Sequence, residues 1–470
     1  MIPRHRKPRT GFFCCQTERF YALSLTGGGG IIQSSYIIVL VPLPAFPRLI
    51  GNAAEGMGRI GTHLVHGTPV EPDISRHMYV CGETGVGKTT LLHNLMVQDI
   101  HDGKGFAYFD PHGDEAENLL NFIPQHRVKD VIYFAPHDRE RPVTLNPLQG
   151  DRVDHERTVQ AITNAFRAIW PDTYGESSMQ YILLSLLATA IHVPGATFHT
   201  ARKILIQPTY RAHVLTTIAN EEIRSFWQDE WEKFSERDRT LYSWSTRNKL
   251  GQFLLSPTVK HVLCGASSFS PKEIMNGRKI FIANLSIGHL GVISSRILGC
   301  LLFSLMQAAT MERAQTKFRI PFSIYLDEFQ NFVNPELEAM LSQARKYKVS
   351  LVLANQYLAQ LPDHLKSAVF GNVGTIVSYR VGKDDAEYLS KHFEEYPKKA
   401  FLELNQLESL ARFLYEGNKR ECKINADEYD DRECGRARQV INNSRERYGR
   451  KVVRGSIKTP LVWSGVEWKQ

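Results

Sequence analysis

The residues between Gly82 and Thr89 fill the phosphate-binding pattern G-x-x-x-x-G-K-[ST]. In such a loop Lys88 supplies a cation for the β- and γ-phosphates of a nucleoside triphosphate, and Thr89 supplies a hydroxyl for Mg²⁺. Backbone N–H groups and the N-terminus of a helix predicted to begin near Thr89 add positive potential. The pattern therefore predicts an ATP and Mg²⁺ site lined by Gly82, Glu83, Thr84, Gly85, Val86, Gly87, Lys88, Thr89 and Thr90.

A pair of acids, Asp327 and Glu328, directly follows the apolar run FSIYL. At the tip of a strand, Asp327 would be a metal residue that orients Mg²⁺-bound water, and Glu328 would take the proton from the attacking water. The alternative is a strand that ends in solvated acids. The phosphate loop earlier in the chain favours the catalytic interpretation.

Three further side chains are candidates for the same site. Gln356 follows a buried run and is predicted to contact the γ-phosphate or the lytic water, although such an amide can also satisfy its own loop. Arg345 and Arg380 lie near predicted strand or helix ends, where either could act as an arginine finger in a neighbouring subunit or form a local salt bridge. Of the two, Arg345 is favoured. His112, in the turn after the run GFAYFD, is either a ligand contact or a structural residue.

These side chains need a sheet that brings strand ends together. Short apolar runs predict buried strands of a mostly parallel sheet flanked by helices. They occupy residues 78–81, 105–110, 131–134, 279–285, 322–326, 349–354 and 375–381. In an open parallel sheet ligands bind at the carboxyl ends of the strands, which is where the candidate residues fall.

Residues 152–265 differ from the sheet-forming parts because apolar residues recur there at helical spacing. They predict an all-helical insertion that divides the core into residues 57–151 and 266–416. Trp227, Trp231 and Phe234 share one helical face, which favours a buried core over a platform for stacking bases. Residues 1–56 form an atypical N-terminal segment, and residues 417–470 are predicted to be a basic tail.

Composition limits the class of protein. The chain has 470 residues, a formal net charge of +8 and 43% hydrophobic residues, as expected for a globular protein of two or three domains. Its pI of about 9.0 is compatible with a polyanionic partner. Seven scattered cysteines form no C-x-x-C pair, which argues against a zinc site or a disulfide framework. An ATP site and free thiols both indicate a cytoplasmic location.

Both ends of the chain carry charge. Arg4, Arg6, Lys7 and Arg9 precede an apolar run at 36–46, which is about half the roughly 20 residues that a membrane-spanning helix needs. A membrane anchor and an unanchored segment are both left open. At the other end, residues 432–454 contain eight arginines and lysines, which would bind nucleic acid or acidic partners or would be solvated.

The motifs together resemble the HerA/FtsK-type P-loop ATPases, and within them the coupling-protein ATPases of conjugative type IV secretion. The similarity rests on HMYVCGETGVGKTTLL, YFDPHGD, TLNPL, IYLDEFQNF, ARKYKVSLVLANQ and SYRVGKDDAEYL. It implies a RecA-like core with an inserted all-α domain, a homo-hexameric ring that moves DNA using ATP, and partners such as a relaxase or secretion-channel proteins. It also implies that the protein is located at the cytoplasmic face of the bacterial inner membrane if its N-terminal segment is a membrane anchor.

The resemblance maps Lys88 and Thr89 onto phosphate and Mg²⁺ binding, Asp327 and Glu328 onto metal and base, Gln356 onto the sensor and Arg345 onto a finger acting in trans. A DNA-translocating ATPase is therefore expected. An ATPase that drives protein secretion would share the whole nucleotide site. A nucleotide-gated scaffold is the non-enzymatic alternative, but it has no need for a base at Glu328.

Overall fold

The computed structural model describes residues 58–149, 155–174, 177–332, 336–415, 417–430 and 432–452. The predictions made for residues 1–56, including the apolar run at 36–46, lie outside these ranges, and so does Arg454 of the basic tail.

One sheet of eleven strands runs through the described residues. The strands are β1 (Gly61–His63), β2 (Pro69–Val70), β3 (Met78–Cys81), β4 (Gly105–Asp110), β5 (Val131–Phe134), β6 (Ile280–Asn284), β7 (Phe322–Leu326), β8 (Val349–Asn355), β9 (Thr375–Ser378), β10 (Glu408–Tyr415) and β11 (Asn418–Asn425). Their order across the sheet is β2-β1-β11-β10-β9-β3-β8-β7-β4-β6-β5.

The seven strands from β9 to β5 are parallel to one another. Their residues are almost all buried because helices cover both faces, which explains why the sequence shows continuous apolar runs rather than alternation. Met78 pairs with Val352, and Phe109 pairs with Leu326, so the carboxyl ends of the strands share one edge. The predicted fold class, a RecA-like α/β core, is confirmed.

The remaining strands are antiparallel and extend the sheet beyond β9. β10 pairs with β9 and forms a hairpin with β11, and β1 pairs with the far side of β11. The interpretation of residues from 417 onward as a tail was therefore wrong for β11. Asn418 to Arg420 are exposed, but in the second half of the strand Glu421 and Lys423 alternate with Cys422 and Ile424, which are buried, so this half packs one face on the core.

Helices surround the sheet. They are α1 (Lys88–His101), α2 (Asp114–Asn118), α3 (His155–Ile169), α4 (Pro171–Tyr174), α5 (Ser177–Ala190), α6 (Phe198–Ile206), α7 (Pro208–Leu215), α8 (Glu221–Ser225), α9 (Glu236–Leu255), α10 (Pro257–Leu263), α11 (Pro271–Asn276), α12 (Ile287–Leu290), α13 (Val292–Glu312), α14 (Leu337–Gln343), α15 (Asp363–Asn372), α16 (Lys383–Ser390), α17 (Lys398–Leu402) and α18 (Ala437–Tyr448).

Two apolar cores lie on opposite faces of the sheet. Alternate residues of β3 contribute to different cores, with Tyr79 on the face of α3 and α13 and Val80 on the face of α1. This alternation follows from the two-residue period of a strand. The helix that follows the phosphate loop therefore packs on one face, and the long helical segment of the chain packs on the other.

The helical segment leaves and rejoins the core at one place. Leu145 N–H donates to the carbonyl of Val262 at 2.9 Å, and Ser268 N–H donates to the carbonyl of Thr144 at 2.9 Å. The Asn146 amide, from the TLNPL motif, donates to the carbonyl of Ala196 at 2.7 Å. These bonds satisfy backbone groups of two chain segments that lie side by side, as expected at the base of an insertion.

Trp227 and Trp231 of the helical segment are core residues, as predicted. Trp227 and Trp231 are buried, and the Trp227 indole donates to the Thr189 hydroxyl at 2.8 Å. They do not lie in one regular helix, because a π-helical turn at Phe226–Glu230 and a 3-10 turn at Trp231–Lys233 follow α8. The π-turn lets both indoles reach the same core, where their rings lie 5.6 Å apart.

Helix α13 is the most apolar long helix among the described residues. With its following turn it spans Val292–Gln315 and is long and apolar enough to cross a membrane, yet 67% of its apolar window is buried inside the protein. A Cβ on Gly299 would lie 2.3 Å from the Phe332 ring, so only glycine allows this close approach. Both features are those of a core helix.

Candidate nucleotide site

The phosphate loop connects β3 to α1, as predicted. The Lys88 ammonium is buried and donates to the carbonyls of Gly82 at 2.6 Å and Glu83 at 2.9 Å. Burial lowers the pKa of Lys88, and the nearby Glu328 and Asp327 carboxylates oppose that shift. Gly87 has φ 120°, a conformation that L side chains avoid, and a Cβ there would lie 2.8 Å from Leu407. The loop thus keeps a cation inside a ring of backbone groups.

Two segments far along the chain hold the loop from outside. Glu83 N–H donates to the carbonyl of Arg380 at 2.9 Å, and Leu407 N–H donates to the carbonyl of Val86 at 3.0 Å. Leu407 was missed by the sequence analysis. It adopts φ 65°, and nothing in a leucine indicates a left-handed conformation in advance.

The exposed residues of the loop are those that a nucleotide would meet. Glu83, Thr84, Gly85 and Thr89 are exposed, whereas Val86 is buried beneath them. Helix α1 begins at Lys88, one residue before the predicted start, and its N-cap residue is Gly87, which has no side chain to occupy the first N–H groups. Those groups are therefore available to an anion.

Asp327 and Glu328 follow β7, two strands from the phosphate loop. Both carboxyl groups are buried, at 5% and 6% exposed. Burial, with Asp110 and Glu328 close by, raises the pKa of Asp327 to about 7. Three acids held together in this way favour a cation between them, and the Lys88 ammonium opposes the rise in the pKa of Asp327.

Glu328 is fixed by an uncommon backbone conformation. Its φ and ψ of 44° and 52° lie in the left-handed region, which costs a non-glycine residue free energy. Its N–H donates to Asp327 Oδ1 at 3.0 Å, and the Gln330 amide donates to Glu328 Oε2 at 2.8 Å. Such strain is characteristic of functional sites, and here the two hydrogen bonds hold the carboxylate in one orientation.

Asp110 is the acid that links this site to the next strand. It is buried at the end of β4, and its oxygens accept the N–H groups of His112 and Ala116, both at 2.8 Å. The His112 side chain itself is exposed. Asp110 thereby anchors the start of α2 and adds negative charge beside Asp327.

Strand β8 lies between the strand of the phosphate loop and the strand of the acids, and Gln356 follows it directly. The amide before it, Asn355, is buried and structural: it accepts from the Tyr79 hydroxyl at 2.7 Å and donates to the carbonyl of Tyr357 at 2.9 Å. Gln356 is half-buried at the strand tip. Of the two amides, Gln356 is therefore the one positioned for a ligand.

The two candidate arginines lie at opposite ends of the parallel strands, Arg380 at their carboxyl ends and Arg345 at their amino ends. Arg380 is beside the phosphate loop, and its Nε donates to Glu83 Oε2 at 3.0 Å. It lies beyond the end of β9, because that strand stops at Ser378 rather than at residue 381 as predicted. Arg345 is exposed just before β8 begins, so the length of that strand, about 23 Å, separates it from the acids of its own chain.

The oxygen ligands present suit Mg²⁺. Thr89 is exposed in the first turn of α1, and Asp327 is buried at the end of β7. A hydroxyl and a carboxylate beside a phosphate loop are the kind of hard ligands that Mg²⁺ prefers when most of its coordination is completed by phosphate and water.

Comparison with known proteins supports this fold. A family model described as the TraM recognition site of TraD and TraG matches residues 321–402, which begin just before β7 and end with α17. No curated protein matches the sequence. A structure titled as the bacterial conjugative coupling protein TrwBdeltaN70 is 16% identical, with a TM-score of 0.60, and the match covers 79% of this chain and 90% of that one.

Two other solved structures are similar. Plasmid coupling protein TrwB in complex with ADP and Mg²⁺ is 17% identical, with a TM-score of 0.56, covering 81% of this chain and 96% of that one. VirB4 of Thermoanaerobacter pseudethanolicus is 15% identical, with a TM-score of 0.55, covering 82% of this chain and all of the other. The resemblance that the motifs indicated is thus confirmed, and the chain has the fold of the conjugative coupling protein TrwB and of VirB4.

Proposed function

We propose that this chain is an ATP-hydrolysing motor that moves DNA in conjugative or type IV secretion-like transfer. The observation that carries the proposal is the meeting of Lys88, Asp327 and Glu328 at one sheet edge, with Gln356 on the strand between them. The match to a model of the TraM recognition site and the similarity to TrwB, which was solved with ADP and Mg²⁺, support the same conclusion.

Each residue has a distinct role in this proposal. Lys88 turns from the carbonyls of Gly82 and Glu83 to the β- and γ-phosphates of ATP, while the free N–H groups of the loop between Gly82 and Thr90 surround them. Thr89 and Asp327 would hold Mg²⁺, which when bound neutralises charge on the phosphates. Glu328 accepts the proton of the attacking water, and Gln356 contacts that water or the γ-phosphate.

The position of Arg345 supports the proposed assembly. It is exposed and lies about one strand length from the acids of its own chain, so a catalytic role for it would require the site of an adjacent subunit. We therefore propose a closed homo-oligomer, a hexamer in the related ring ATPases, in which Arg345 acts in trans. Arg380, paired with Glu83, acts in cis on the phosphate loop.

The larger scheme is proposed in the same way. The eleven-stranded sheet, including β11, and the helices packed on it form the motor core, and the helical insertion at 152–265 carries cargo or partner contacts. A relaxosome protein of the TraM kind, a relaxase and channel proteins are the partners that this scheme requires. The motor would work in the cytoplasm or at the cytoplasmic face of the inner membrane.

The test is the steady-state ATPase rate of the full chain, with and without single- and double-stranded DNA, at low and moderate salt. Stimulation by DNA that declines as salt rises is expected, because phosphate contacts release counterions. A rate that DNA does not change would favour a protein-secretion ATPase, and absence of hydrolysis would favour a nucleotide-gated scaffold.

Glu328→Gln tests the assignment of the base. The variant keeps its shape and should bind ATP normally, but hydrolysis should slow by about 10²- to 10⁴-fold because the water loses its proton acceptor. Nucleotide titration and phosphate release measure the two effects separately. Glu403→Gln, which changes an exposed carboxyl paired with Lys399, is the matched control and should hydrolyse at the wild-type rate. Normal turnover by Glu328→Gln would remove Glu328 from the mechanism.

A further inference from the structure

Three side chains that the nucleotide site does not use converge near the same edge of the sheet. They are Glu117 of α2, His137 in the turn after β5, and His289 of α12, and their ligand atoms all lie within 4.8 Å of one another. Glu117 and His137 lie 20 residues apart in the chain, and His289 follows 152 residues after His137. Two imidazoles and one carboxylate are a donor set that binds zinc and similar divalent metals.

The imidazole of His137 lacks its expected hydrogen-bond partner. Its Nδ1 is buried, and within the described part of the chain no donor or acceptor reaches it. The ring stacks on that of His289, with 4.6 Å between centroids and 23° between planes. A buried, unpaired ring nitrogen is costly unless a ligand completes it, so the arrangement favours an occupant.

The carboxylate of Glu117 is oriented by a buried amide behind it. Asn284, at the end of β6, donates to Glu117 Oε1 at 3.3 Å and to the Tyr133 hydroxyl at 2.9 Å. Asn284 is completely buried, so its direction is fixed by the sheet. Outer hydrogen bonds of this kind orient the ligands of metal sites.

A cation that lines the same cavity as Glu117 and His137 is held by an ion pair. Arg445 has its Nε 2.6 Å from Asp138 Oδ2, so its charge is already paired.

The ligands can be reached from solvent. Glu117 and His137 line a cavity of about 510 Å³, together with Tyr133, Asp138 and Arg445. A metal bound by three protein ligands would keep a position for water on that side. The cluster follows β5 and β6, whereas Asp327 follows β7, so strand spacing puts about 10–15 Å between the two sites.

We propose that Glu117, His137 and His289 form a second divalent metal site that takes zinc or a similar borderline metal, distinct from the oxygen-lined Mg²⁺ site at Thr89 and Asp327. The metal would tie α2 to α12. Both elements already contact the end of β4: Ala116 N–H donates to Asp110 Oδ2 at 2.8 Å, and Ile287 N–H donates to the carbonyl of Pro111 at 2.9 Å. The proposal does not depend on DNA transport or on ATP hydrolysis.

The experiment is a zinc titration of the full chain, after removal of metal with a chelator, in competition with a chromophoric chelator. One zinc ion per chain is expected, and cobalt in its place should give visible d–d bands of a low-coordinate site. His137→Ala, His289→Ala and Glu117→Gln should each weaken zinc binding at least tenfold. His126→Ala, which removes an exposed histidine elsewhere, should not change it.

Two controls keep the result decisive. Circular dichroism and melting of each metal-free variant show whether it is folded, and Glu117→Gln preserves shape if an alanine variant does not fold. Asp327→Asn should bind zinc as the wild type does. Loss of zinc in Asp327→Asn, or unchanged affinity in both histidine variants, would overturn the proposal.

Discussion

The side chains at the nucleotide site carry more negative than positive charge. Asp110, Asp327 and Glu328 bring three acids to the ends of neighbouring strands, and burial raises the pKa of Asp327 to about 7. The Lys88 ammonium opposes this rise, and it is hydrogen-bonded to the carbonyls of Gly82 and Glu83. Cations that accompany a nucleotide would therefore gain free energy from all three acids, which is a physical reason for this site to bind a metal–nucleotide complex.

A histidine outside the site makes stability depend on pH. His77 is buried before β3, where Nδ1 accepts the Leu351 N–H at 3.0 Å and Nε2 donates to the carbonyl of Leu341 at 3.1 Å. Burial lowers its pKa to about 4, against about 6.5 when unfolded. Below pH 6.5 the unfolded chain therefore binds a proton that the folded chain does not, and stability falls as pH falls from about 6.5 towards 4.

Urea unfolding of the full chain at pH 7 and pH 5 measures this contribution. His77→Gln removes the titrating group. Between pH 7 and pH 5 the free energy of unfolding of the wild type should therefore fall by about 2 kcal/mol more than that of the variant. His126→Gln, at an exposed position, should behave as the wild type. Equal pH dependence in wild type and His77→Gln would show that His77 is not neutral in the folded state.

At the scale of elements, α13 and the segment after β7 are packed as one unit through Gly299 and Phe332. Replacing Gly299 with alanine would put a methyl group 2.3 Å from the Phe332 ring. We expect destabilisation of about 1–3 kcal/mol, because overpacking outweighs the gain in helix propensity.

Thermal or urea unfolding checks this expectation against a matched glycine. Gly251 lies in α9, and no atom comes within 4 Å of the place that a Cβ would occupy there, so Gly251→Ala should stabilise by about 0.4–1 kcal/mol. In a Phe332→Leu background the penalty of Gly299→Ala should shrink, since the two residues are in contact. A penalty that persists unchanged there would place the strain elsewhere.

The elements that the sequence predicted best are those whose burial is uniform. The first and last residues predicted for β3, β4, β5 and β7 are those that the structure shows. A strand covered on both faces is apolar throughout and ends where polar residues begin, so its limits can be read from the sequence. The β10–β11 hairpin was missed, because one of its strands reads as a charged segment unless its alternation is noticed. The other side of β11 pairs with β1, where Thr62 lies opposite Asn425, and local patterns do not encode such distant pairs.

The site itself was predictable only in part. The phosphate loop and the pair Asp327 and Glu328 carry motifs, and the fold brings them to one edge. Backbone geometry leaves no motif in the sequence. The left-handed conformations of Glu328 and Leu407 and the hydrogen bond from the loop to Arg380 depend on segments that are distant in the chain. The roles of Arg345 and Gln356 stay predictions.

At the scale of the whole molecule, the position of Arg345 predicts that sites are completed between subunits. Arg345→Ala chains keep the acids but lack the finger, and Glu328→Gln chains keep the finger but lack the base. Each should be nearly inactive alone, and mixing them should recover part of the ATPase activity because some sites then combine intact halves. Lys346→Ala removes the neighbouring exposed cation and serves as the control, which should keep the wild-type rate. No recovery at any ratio would assign Arg345 a role within its own chain.

The packing of α18 against β5 affects how the chain folds while it is being synthesised. β5 is the outermost strand at one edge of the sheet, and α18 lies against it, with the Tyr133 N–H donating to the Ser444 hydroxyl 311 residues later. A ribosome adding about 5–20 residues per second needs roughly 15–60 s for that stretch. During this time α18 does not yet cover β5, and exposed strand edges recruit other strands. The yield of folded protein therefore depends on what shields β5 while synthesis is still under way.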